Sequence, residues 1–121
     1  MKTKRHIELL VQSGPMGYLI QIIEQTHERD GFSPVLNGKL RPYQFKAKNG
    51  ITLVSDLSPG FYAESDEFHV RGVNSFANYY ILQIPNRGIF LRIIEAVNEY
   101  NAYGNDCETP PDNEVKCWKV G

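Results

Sequence analysis

The fold that this sequence predicts is an α+β domain: a largely antiparallel sheet of five to six strands, with two amphipathic helices packed on one face. Three observations carry it. Apolar residues recur at helical spacing near both ends of the chain, and the stretch between them breaks into short alternating segments. Asn49-Gly50 stands between two of those segments and supplies the positive φ values that a tight hairpin wants. At 121 residues the chain fits one domain, 1–121, large enough to bury a core without metal or disulfide support.

RHIELLVQ (5–12) alternates between apolar and polar residues and predicts a first strand. In SGPMGYLIQIIEQTHERDG the period changes. Met16, Leu19, Ile20 and Ile23 recur at helical spacing, with Gln21, Glu24, Gln25 and Glu28 on the other face. Ser13 suits a cap, Pro15 a first turn and Gly31 a stop, so a helix is expected over 15–30. A hairpin through Gly14 to Gly17 fits the same letters, because Tyr18, Ile20 and Ile22 keep period two.

FSPVLNGKLRP reads as a surface connection, and sheet follows it. YQFKA (43–47) and ITLVSDL (51–57) flank the Asn49-Gly50 turn, and Ser58-Pro59-Gly60 closes the pair. EFHVRG (67–72) and NYYILQI (78–84) predict two further strands, expected as antiparallel neighbours. After Pro85, a helix places Phe90, Ile93, Ile94, Val97 and Tyr100 on one stripe and Arg92, Glu95 and Glu99 on the other, with Asn86 as cap and Gly104 as stop. EVKCWKV (114–120) predicts a last edge strand. The helices would cover one sheet face and leave the other for solvent or a partner.

With 13 Lys+Arg against 14 Asp+Glu and a net charge of -1, no overall field draws the chain to duplex nucleic acid or to an anionic membrane. No run approaches the roughly 18 apolar residues of a transmembrane helix, and MKTKRHIELLVQ has no signal-peptide core, so a cytoplasmic protein is expected. In that compartment Cys107 and Cys117 stay reduced more often than bridged, although their spacing would close a loop. His6, His27 and His69 stand apart, without metal-ligand spacing, and no serine sits in a nucleophile elbow. Walker-type and dinucleotide-type phosphate loops are missing. The expectation is a non-enzymatic binder without metal or cofactor.

The segment FHVRGVNSFANYY (68–80) is the first candidate site. Strand alternation puts Glu67, His69 and Arg71 on one face. Gly72 lets the backbone turn, Asn74, Ser75 and Asn78 offer neutral donors, and Phe76 is available to stack on a ring. A hairpin turn with Arg71 paired to an acid explains the same residues. The second candidate is Asn86, Arg87 and Gly88 at the helix N-terminus, which suits anion capture or simple capping. As neighbouring strands, 66–72 and 78–84 would hold Arg71 and Asn86 roughly 23 Å apart. A shared site would then need a second subunit, and a homo-oligomer, dimer or higher, is expected with it.

FHVRGVN…N, followed by a strand, a polar turn and a helix ending EAVNEYN, resembles a pattern in small phage-encoded accessory proteins. Over 66–101 the chain is similar in length and layout to the phage anti-Thoeris sponges, which sequester cyclic ADP-ribose-type immune signals at a homo-oligomer interface. The resemblance implies a small anionic nucleotide-like ligand in the cytoplasm of an infected bacterium. Arg71 would bind its pyrophosphate, Phe76 stack on adenine, Asn86 bond to ribose or base, and Arg87 and Arg92 meet phosphate. His69, Asn74 and Asn78 complete the expected set. Ala77 stands where the pattern has an acid, and NEYNAY stands where it has paired arginines. The alternative is an anti-defence protein of the anti-CRISPR kind that acts by direct protein contact. A third reading uses His69 and the acidic run 64–67 catalytically on a phosphorylated nucleotide.

Overall fold

The structure is a computed structural model that describes residues 4–15, 17–28, 31–34, 40, 42–56, 60–76 and 78–103. The expected strand 114–120, the stop at Gly104 and both cysteines lie outside them. Among the described residues there are nine strands and one helix. They run β1 (Lys4–Gly14), β2 (Gly17–Glu28), β3 (Gly31–Pro34), β4 (Tyr43–Lys46), β5 (Thr52–Ser55), β6 (Phe61–Glu64), β7 (His69–Arg71), β8 (Val73–Phe76), β9 (Tyr79–Ile84) and α1 (Arg87–Ala102). This corrects the expected single sheet of five to six strands with two helices. Two antiparallel sheets are formed, one ordered β1-β2-β9-β8 with β3 paired to β2, the other β4-β5-β6-β7.

The expected helix over 15–30 is the long strand β2. Its period-two face won over the helical one: Ile20, Ile22, Glu24 and Thr26 all point inward and are buried. Gly17 takes a φ of 109, which lets the chain reverse tightly enough for Gly14 to pair with Gly17. From there every residue of β1 back to Lys4 has a partner on β2, without a bulge. The other side of β2 is shared, with β9 along Tyr18–Ile23 and β3 along Gln25–Glu28.

Strands 67–72 and 78–84 are not neighbours, which corrects a second expectation. β7 pairs with β6 in one sheet, whereas β8 and β9 form a hairpin in the other. The chain changes sheet at Gly72, whose N–H donates to the Phe61 carbonyl at 2.7 Å. A Cβ there would lie 2.8 Å from Leu82 Cδ1 and 3.1 Å from both the Phe61 carbonyl oxygen and Tyr80 Cβ, so any side chain would crowd the crossing.

The Asn49-Gly50 hairpin is present between β4 and β5. Gly50 has a φ of 93, its N–H donates to the Ala47 carbonyl, and Asn49 Oδ1 accepts from Ile51 N–H at 3.1 Å. The core fills the space between the sheets, where Phe61 of β6 meets Tyr80 of β9 with ring centroids 6.0 Å apart. α1 packs on both sheets: Phe90 stacks on Tyr18 at 4.7 Å, and Tyr100 stacks on Tyr43 at 4.8 Å. Its buried stripe is Phe90, Ile93, Ala96, Val97 and Tyr100, with Ile94 only partly covered. Asn86 caps the helix, its side chain accepting from Ile89 N–H at 3.0 Å.

Candidate functional site

Several of the sequence-derived site residues hold the fold together. Asn78 is buried where the partner of β2 changes from β9 to β3. Its carbonyl accepts from Glu24 N–H at 3.2 Å and its amide donates to the Glu24 carbonyl, closing the gap in the ladder. Asn74 is exposed and donates to the Tyr79 carbonyl at 3.0 Å across the β8–β9 hairpin. Phe76 pairs with Tyr79 beyond an irregularity in register. Arg92 bonds Glu67 at 3.1 Å and the Asn49 carbonyl at 3.3 Å, and lies 5.7 Å from the Phe68 ring. It joins α1 to two loops.

His69 and Arg71 do share the exposed face of β7. Tyr62 of β6 pairs with Arg71, and its ring lies 4.9 Å from that of His69. Burial, with Glu64 and Asp56, raises the Tyr62 phenol above its ordinary pKa, against the pull of Arg71. Glu67 is outside the strand and turned to Arg92. Arg87 is exposed at the first turn of α1, where no acidic residue stands. Arg71 pairs with Tyr62 in the second sheet and not with β9, so the hairpin from which its separation from Asn86 was reckoned is not formed.

Sequence reasoning missed a buried polar cluster between the sheets. Arg5 and Glu24 approach to 3.7 Å, the Arg5 guanidinium lies 4.3 Å over the Tyr43 ring, and Ser55 donates to Glu24 at 3.0 Å. Tyr80 joins it: burial first, then the Glu24 charge, pushes its phenol up to about 12. The signal was the period-two parity that puts Arg5 in line with Ile7, and Glu24 with Ile20 and Ile22.

Compared with protein-family models, curated proteins and solved structures, the chain matches none. Its geometry carries the functional reading alone. Among the described residues no helix is long and apolar enough to cross a membrane, and no group of three or more His, Cys, Asp or Glu side chains is placed to hold a metal ion.

Among the described residues two surfaces are left uncovered. The outer face of the first sheet runs Leu10, Gln21, Ile81, Val73 across four strands, beside Leu19. Leu10, Leu19 and Val73 are 58%, 36% and 70% exposed. Around the free edge of β1, a groove of about 570 Å³ is lined by Val11, Ser13 and Tyr18 on the sheet side, and by Arg87, Phe90 and Leu91 on α1.

Proposed function

We propose that this protein is a non-catalytic binding module that acts by contact with another protein. The observation that supports the reading best is the outer face of the first sheet. A sheet face in water is ordinarily polar, yet Leu10, Ile81 and Val73 share one row of it, with Gln21 between the first two and Leu19 adjoining. Exposed apolar side chains gathered on one face in this way suit an interaction surface. A photo-crosslinker at Leu19 or Val73, in cells that produce the protein, should give a discrete protein adduct that Leu10→Asp removes. The same probe at Lys46 should give none. Adducts indifferent to position would contradict the reading.

The Tyr62, His69 and Arg71 strip supports a second reading. Two nitrogen-rich side chains flanking a phenol ring suit a phosphate joined to a flat base. That reading is a phage-encoded cytoplasmic protein, working as a homo-oligomer, that sequesters a cyclic nucleotide or ADP-ribose-type signal. Native mass spectrometry with a panel of such nucleotides tests it. Retention lost in Arg71→Ala supports sequestration, whereas a chain that ignores the panel rejects it.

A further inference from the structure

Successive residues of an antiparallel strand turn their N–H and C=O groups to opposite sides. At Ile7 both groups face away from β2 and meet the Asn101 side chain of α1, which accepts from Ile7 N–H at 2.9 Å and donates to the Ile7 carbonyl at 2.8 Å. Leu9, Val11 and Ser13 share the parity of Ile7. Their N–H and C=O groups therefore face the same free edge, along which no strand pairs among the described residues. Asn101 fills the first place, and among the described residues no strand takes the next three.

Edges of this length are ordinarily blunted by proline, lysine or a bulge. Glu8 to Ser13 contains neither residue, and the register with β2 runs unbroken. The groove between this edge and α1 adds side-chain recognition. Leu91 is 48% exposed on its wall, and Arg87 is the one charged residue among the described residues of its lining.

We infer that the Leu9–Ser13 edge is a strand-addition site for an extended segment of a partner protein, which sets an apolar side chain against Leu91 and Phe90 and a carboxylate beside Arg87. This rests on the protein-contact reading and names its partner's chemistry. Charge selects such a segment over a second copy of this chain. In a pairing of two β1 strands, the groove-facing residues would be Leu9, Val11 and Ser13, which bring no carboxylate to Arg87.

The test is a labelled, end-capped peptide, Thr-Val-Thr-Val-Thr-Glu, with a lysine-for-glutamate counterpart and two forms N-methylated at alternate residues. The parent should shift the amide resonances of Leu9, Val11 and Ser13. The lysine peptide, one of the two N-methyl frames and Arg87→Ala should each weaken binding about tenfold or more, the scale of a lost charge-assisted bond. Val11→Pro should abolish binding, because it removes an outward donor while sparing the bonds to β2. If that variant does not fold, the N-methylated peptides carry the same test.

No shift at millimolar peptide, or equal binding by both N-methyl frames, would overturn the site. So would ADP-ribose shifting the same amides. A dimer in sedimentation that Val11→Pro dissociates and Arg87→Ala leaves intact would assign the edge to a second copy instead. Crosslinks from Leu19 or Val73 that persist in Val11→Pro would overturn this site and leave the protein-contact reading standing.

Discussion

At Ile7 and at Glu24 a strand lacks a neighbouring strand, and in both places an asparagine supplies the missing hydrogen bonds. Asn101 takes both backbone groups of Ile7, and Asn78 takes both of Glu24. Removing a partner from a buried backbone group costs about 1–3 kcal/mol. Asn78→Ala, which unpairs the buried Glu24 carbonyl, should lose stability in that range in urea unfolding, and Asn101→Ala, whose two bonds to Ile7 are part-buried, should fall at or below its lower end. Asn74→Ala, whose bond is exposed to water, should lose less. At Gly72 the added methyl has nowhere to go, so Gly72→Ala should cost about 1–3 kcal/mol by overpacking. Gly14→Ala has open space and should change little. Tyr80 gives a pH dependence of known sign. Its folded pKa of about 12 exceeds the ordinary 10.0, so the fold favours the neutral phenol. That contribution, up to about 3 kcal/mol, is whole below pH 10 and is lost as pH climbs towards 12. Tyr80→Phe should flatten the alkaline arm of the stability profile.

β2 shows why single elements were only partly legible. Its sequence carries a helical stripe through Met16, Leu19, Ile20 and Ile23 and a strand stripe through Tyr18, Ile20 and Ile22. Nothing local separates them, since Glu24 and Thr26 read as a polar face until Ser55 and Arg5 are brought to meet them from other strands. α1 was legible because its stripe, cap and preceding proline agree. Asn86→Ala should cost about 1 kcal/mol in thermal unfolding. The Asn49-Gly50 turn was legible for the same reason, but its second task was not. Asn49 also donates to the Arg92 carbonyl at 3.0 Å and to Glu95 at 2.8 Å, fastening the hairpin to α1. β6 and β8 were not read as strands from the sequence.

For the whole molecule, the hidden fact was that one continuous stretch, residues 68–80, serves both sheets. Its residues were read as one site because they adjoin in sequence, and Gly72 distributes them. His69 and Arg71 go to the outer face of one sheet, Asn74 to a hairpin, and Asn78 to a buried gap. What the described residues leave uncovered instead is the first sheet's outer face and the β1 edge beside α1. The most direct measurement is amide hydrogen exchange along β1 in the free protein. Slow exchange is expected at Ile7, Glu8, Leu10 and Gln12 and fast exchange at Leu9, Val11 and Ser13. Uniform protection from Ile7 to Ser13 would mean that the edge is already covered, and would contradict the strand-addition site.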